Sequence, residues 1–77
     1  SGVVVNILVI EDDPVLGRAL RQGLEEAGHT CEWCRNGQRG LEQALAHKSD
    51  VIVLDRMLPD LPGLDVLRRL RQQGVRT

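Results

Sequence analysis

Val4-Val5-Asn6-Ile7-Leu8-Val9-Ile10-Glu11-Asp12-Asp13-Pro14 is the stretch that decides how this chain folds. Residues 4–10 are an almost unbroken β-branched and aliphatic run, and a strand apolar on both faces belongs inside a parallel sheet. Three consecutive acids end the run. Asp13-Pro14 then reads as a helix start, with Asp as the N-cap and Pro at the first helical position. Strand, acids and helix follow one another within a few residues, the signature of an α/β unit.

Working outward, the first helix carries Leu16, Ala19, Leu20, Leu24 and Ala27 at helical spacing, with Arg18, Arg21, Glu25 and Glu26 mostly on the other side. Gly28 ends it as a C-terminal glycine. A short second strand covers about 30–34 and turns at Asn36-Gly37. A second helix follows over about 38–47, with Leu41, Ala44 and Leu45 on its apolar face. Asp50-Val51-Ile52-Val53-Leu54-Asp55 is another buried-strand run. Arg56 to Gly63, with two prolines and a glycine, reads as a loop. A third helix over about 64–73 turns Leu64, Leu67 and Leu70 inward and Arg68, Arg69 and Arg71 outward, and Gly74 ends it. The order is βαβαβα. Strands alternating with helices imply a parallel sheet with right-handed crossovers.

Bulk properties narrow the class. Seventy-seven residues make a single domain, 1–77, of modest stability, on the order of a few kcal/mol. With 42% hydrophobic and 27% charged residues the chain is globular, and a net charge of −1 gives no overall basic field for nucleic acid or an anionic membrane. No apolar stretch is long enough to span a bilayer, and the N-terminus has no secretory signal pattern. Cys31 and Cys34 form a C-x-x-C, but in an extended segment residues three apart face opposite sides, which suits neither a redox pair nor half of a zinc site. Two free thiols fit a cytoplasmic location. His29 and His47 read as surface residues.

The chemistry sits at the strand ends. In an open parallel α/β sheet, ligands bind beyond the carboxyl ends of the strands. The first strand ends in Glu11-Asp12-Asp13 and the third in Asp55, so these acids converge if the two strands are neighbours. Clustered carboxylates repel one another and are tolerable mainly with a cation, and an all-oxygen set favours a hard ion, Mg²⁺ first. Such an ion can hold a phosphate donor, which makes a carboxylate a plausible phosphoryl acceptor. Asp13, beside Pro14, is accounted for by N-capping.

Ile7-Leu8-Val9-Ile10-Glu11-Asp12-Asp13, Asn36-Gly37, and Val53-Leu54-Asp55-Arg56-Met57-Leu58-Pro59-Asp60-Leu61-Pro62-Gly63-Leu64-Asp65 together resemble the receiver domain of two-component response regulators. The wording around Met57-Leu58-Pro59 and Pro62-Gly63 looks most like the transcription-factor subfamily whose receiver precedes a winged-helix DNA-binding domain. The resemblance implies a flavodoxin-like fold, here partial, with a three-stranded parallel sheet in the order 2-1-3. It implies Asp55 as phosphoacceptor, Asp12 as the principal Mg²⁺-ligating acid, Glu11 as its partner acting largely through water, and the backbone carbonyl of Met57 completing the protein's share of the shell. Pro59 and Gly63 would shape the loop. The implied partner is a sensor histidine kinase, and the chain is no enzyme beyond assisting its own phosphorylation.

A complete receiver of this kind has five strands and five helices. The fourth strand's Ser/Thr and the fifth strand's Lys, which contact the phosphoryl group, have no counterpart within these residues. The expectation is therefore metal binding but poor phosphorylation by this chain alone, with DNA reached only through a further C-terminal domain. The third strand, with no lysine or proline within it, is left as an apolar edge, and a homo-oligomer through that edge follows. Two other readings compete with this one. A magnesium-dependent phosphatase usually places a second Asp two residues beyond its nucleophile, where this chain has Met57. A purely structural interaction module would use the sheet edge and the basic face of Arg68, Arg69, Arg71 and Arg76.

Overall fold

Three parallel strands form one sheet in the order β2-β1-β3, built from β1 (Asn6–Ile10), β2 (Thr30–Cys34) and β3 (Val51–Leu54). The computed structural model describes residues 2–77; Ser1 lies outside them. Helices α1 (Pro14–Glu26), α2 (Gly37–Ala46) and α3 (Gly63–Gln72) alternate with the strands. This is the flavodoxin-like arrangement over its first three strand–helix units. The register sets Ile7 beside Cys31 and Val51, and Ile10 beside Cys34 and Leu54. β1 therefore lies centrally, and Leu8, Val9 and Ile10 are completely buried.

Side chains alternate across the sheet as strand geometry requires. Leu8 and Ile10 pack with Leu41 and Ala44 of α2, Leu58 of the loop, and Val66 and Leu70 of α3. Burying a side chain of this size stabilises a fold by about 1.5–3 kcal/mol, so Val66 and Leu70 account for much of the docking of α3. On the opposite face, α1 packs against β2 and β1, with Gly17 as its one buried residue.

The helix ends follow their local chemistry. Asp13 Oδ1 accepts from the Val15 amide at 2.9 Å and caps α1. At its other end the His29 amide donates to Leu24 O and the Gly28 amide to Glu25 O, both at 3.0 Å. These two bonds make a Schellman closure, which needs Gly28 at φ +94°. Gly74, at φ +82°, closes α3 in the same way.

Several elements depart from the sequence expectation. β1 starts at Asn6, because β2 and β3 give it partners only from Thr30 and from Val51 onward. Asn36-Gly37 is a helix start and not a turn: Asn36 Oδ1 accepts from the Arg39 amide at 2.8 Å, and Gly37 opens α2. Helix α3 likewise begins one residue early, at Gly63, so its inward line runs through Gly63, Val66 and Leu70, with Leu67 half-buried. Leu64 is 52% exposed beside the β3 edge. Leu16 and Leu45 are also exposed. His29 is half-buried, its Nδ1 accepting from the Val5 amide at 3.3 Å, while His47 is exposed. Cys31 and Cys34 are free and half-buried on opposite faces of β2, and burial, the largest influence on each, raises both thiols above their ordinary range.

Candidate metal and phosphoacceptor site

The adjacency of β1 and β3 brings their carboxyl ends together. Carboxylate oxygens of Glu11, Asp12 and Asp55 all lie within 4.8 Å of one another. Asp55 is placed by its amide, which donates to Ile10 O at 3.0 Å and continues the β1–β3 ladder past Leu54. Its Oδ1 accepts from the Met57 amide at 3.1 Å, which turns the chain sharply after the strand. Met57 is 84% exposed, and its backbone N–H is its hydrogen-bonded tie to the site. Asp12 and Met57 line one open hollow of about 370 Å³ with Leu58, Pro59 and Pro62.

Glu11 is the most constrained acid. Its amide donates to Cys34 O at 3.0 Å, its carbonyl accepts from Trp33 Nε1 at 2.8 Å, and its Oε2 accepts from the Asp13 amide at 3.0 Å. Only 8% of its surface is exposed. The Asp13 N–H pulls its carboxyl downward, but burial together with the Asp55 and Asp12 carboxyls outweighs that and leaves Glu11 above its ordinary value. The cluster is therefore short of positive charge. Three oxygen donors and no nitrogen or sulfur fit a hard divalent cation. Asp13 is engaged with Val15, outside the cluster.

The loop from Arg56 to Pro62 is tied at three places. Beyond the Met57 amide on Asp55, the Gly63 amide donates to Arg56 O at 2.9 Å and closes the loop on itself. A side chain at Gly63 would collide with the Asp55 carbonyl, so glycine is required by close approach. Midway, Asp60 Oδ1 accepts from the Gly37 amide at 2.7 Å and Oδ2 from the Gln38 amide at 2.9 Å. With Asn36 on Arg39, the first three amides of α2 are all satisfied. The Gln38 and Gly37 amides hold the Asp60 carboxyl below its ordinary value. Pro59 and Arg56 are both exposed where they line the hollow beside Asp12.

Two contributors escaped the sequence reading. Asp60 carries no role in the sequence reading beyond its place in the quoted motif, yet it caps a helix that begins 23 residues earlier. Trp33 had no signal at all beyond its size. The family model described as the response regulator receiver domain matches residues 7–77.

The chain belongs to the response regulator receiver family.

Among curated proteins, this receiver chain is 47% identical over 68 residues to the transcriptional activator protein IrlR of Burkholderia pseudomallei, which covers 88% of the chain and 30% of IrlR. It is 42% identical over 73 residues to the response regulator protein PmrA of Pseudomonas aeruginosa, covering 95% of the chain and 33% of that protein. The chain thus spans about a third of the length of these relatives. Among solved structures, a Francisella response regulator receiver domain superposes with a TM-score of 0.91 at 32% identity, covering 95% of this chain and 60% of that one. The response regulator TrrA of Thermotoga maritima, solved in complex with Mg²⁺–BeF, gives a TM-score of 0.82 at 30% identity, covering 87% of this chain and 58% of that one. Among the described residues no helix is long and apolar enough to cross a membrane.

Proposed function

We propose that Asp55 is the phosphoacceptor of a two-component signalling protein, taking its phosphoryl group from a sensor histidine kinase with Mg²⁺ held beside it. The observation that carries this reading is the convergence of Glu11, Asp12 and Asp55 from two strand ends. Asp12, Asp55 and the Met57 carbonyl would hold the cation, with Glu11 behind them as a third carboxylate acting through water. Bound there, Mg²⁺ neutralises charge on the transferring group and on the acids themselves. The Met57 amide holds Asp55 Oδ1 and leaves the other oxygen to attack phosphorus. An O–P bond forms on Asp55, the P–N bond of the phosphohistidine breaks, and the departing imidazole takes a proton from solvent.

The Mg²⁺–BeF complex of TrrA supports this assignment by likeness. The name of IrlR, a transcriptional activator, supports a place in transcriptional control. On this reading DNA is contacted by another part of a longer polypeptide, in the cytoplasm. The chain promotes its own modification and turns over no separate substrate. A small phosphodonor with Mg²⁺, followed by intact-mass measurement, tests it: one phosphoryl group is expected on the full-length protein and none on Asp55→Asn. For the 77 residues alone slow and incomplete modification is expected. Equal modification of Asp55→Asn would remove Asp55 from the role.

A second reading rests on β3. It is one of the two outer strands of the described sheet, and Ile52, Leu54, Leu64 and Leu67 line an apolar groove of about 370 Å³ along it. Where these residues stand alone, a second copy pairing along that edge is the proposed state. Light scattering on the isolated 77 residues reads it directly, and a folded monomer at high concentration would overturn it.

A further inference from the structure

We infer that Trp33 is a positioning residue for the acid pair: through its indole N–H it fixes the peptide between Glu11 and Asp12, and with it the direction of both carboxylates. This inference rests on the metal site proposed above. Trp33 lies in β2, opposite Val9 in the register, yet its side chain reaches two residues further, past the end of β1, and donates to the Glu11 carbonyl at 2.8 Å. That carbonyl belongs to the peptide joining Glu11 to Asp12. A peptide unit is planar, so holding its oxygen sets the orientation from which both side chains depart. One hydrogen bond therefore governs two of the three acids.

The indole is itself well held. Helix α1 comes against it at Gly17, where any side chain would overlap the six-membered and five-membered rings. The guanidinium groups of Arg21 and Arg35 lie over the ring at 5.3 Å and 5.8 Å from its centroid, within cation–π range. Arg35 Nη2 also donates to the Asp12 carbonyl at 3.5 Å, so the next peptide along is steadied from the same strand end. Outer groups that orient metal-binding residues typically change metal affinity about 10–100-fold when removed.

The test uses Mn²⁺ as a paramagnetic stand-in for Mg²⁺, with free ion counted by electron paramagnetic resonance on the full-length protein. Trp33→Phe keeps an aromatic ring against Gly17 and deletes the donor. Wild type is expected to bind one ion that Mg²⁺ displaces, Asp12→Asn to bind none, and Trp33→Phe to bind about tenfold more weakly. Melting curves accompany each titration, because a merely structural tryptophan would change stability and leave affinity alone. Equal affinity in wild type and Trp33→Phe overturns the positioning role while the metal reading stands. No ion bound by wild type overturns the metal reading, and this inference with it. Should Trp33→Phe not fold, the emission of the 77-residue chain, whose one tryptophan is Trp33, decides. It is expected to change with Mg²⁺ in wild type and not in Asp12→Asn, and an unresponsive emission overturns the inference.

Discussion

Gly17 and Trp33 fit together only because position 17 carries no side chain: a methyl group there would overlap Cε2, Cζ2 and Nε1 of the indole. A glycine inside a helix costs roughly 1 kcal/mol relative to alanine, so this one has a packing reason. Gly23, in the same helix, has nothing within 4 Å of where a Cβ would sit. The two substitutions should therefore move in opposite directions. Gly23→Ala is expected to stabilise the fold by about 0.5–1 kcal/mol. Gly17→Ala sets the same gain against an overpacking cost of about 1–3 kcal/mol and is expected to lower the melting temperature. Thermal melts of both variants settle the sign, and a stabilised Gly17→Ala would mean that the indole moves aside freely.

The acid cluster should be self-repelling without a cation. Asp55→Asn removes one of three neighbouring carboxylates. In chelator-treated protein it is expected to raise the melting temperature by a few degrees, about 1 kcal/mol. Millimolar Mg²⁺ should then stabilise wild type through binding linkage and leave the variant unchanged. An Asp55→Asn protein that melts lower than wild type in chelator would show that the carboxylates are not in conflict.

Asp60 supplies an acid-sensitive tie. Its folded-state carboxyl lies below the ordinary value because the Gln38 and Gly37 amides donate to the charged form. The stabilisation is thus fully present above the ordinary aspartate pKa and is lost as pH falls through the lowered folded value. Asp60→Asn, which carries no charge to lose, is expected to be less stable than wild type at neutral pH and to flatten the acid limb of the stability profile. Parallel acid limbs for the two proteins would remove Asp60 from that transition.

On α3, Leu70 is 1% exposed and Leu64 is 52% exposed, although the sequence pattern treats them alike. Leu70→Ala is expected to cost about 2–5 kcal/mol, most of what a chain this short has. Leu64→Ala should stay within about 0.5 kcal/mol of wild type. Denaturant titration separates the two, and similar losses would show that the groove beside β3 is closed in solution.

Much of this was readable in the chain itself. The apolar run at 7–10 reads as a buried strand and is one, and Asp13-Pro14 and Gly28 bracket α1 by local chemistry. The similar run at 51–54 also reads as buried, but as the edge strand β3 it leaves Val51 and Val53 exposed and Ile52 and Leu54 only half-buried. Glu11, Asp12 and Asp55 were legible because strand ends in such a sheet share one edge. What stayed hidden depends on contacts between distant segments. Asp60 serves a helix that begins 23 residues away, and no local pattern announces a cap supplied from that distance. Trp33 reaches past its register partner, which alternation cannot express. Leu64 failed for a different reason: apolar positions 63, 64, 66, 67 and 70 make a stripe wider than the surface available to cover it.

The mooring of the Arg56–Pro62 loop sets what that segment can transmit. Met57 pins it beside Asp55, the Gly63 amide draws its far end back to Arg56, and Asp60 anchors its middle to α2. A segment held at both ends and at midspan cannot swing as a free flap. Any rearrangement around Asp55 must either tug the start of α2 or strand two helix amides without acceptors, so the segment works as a rigid tie rod between the third strand and the second helix.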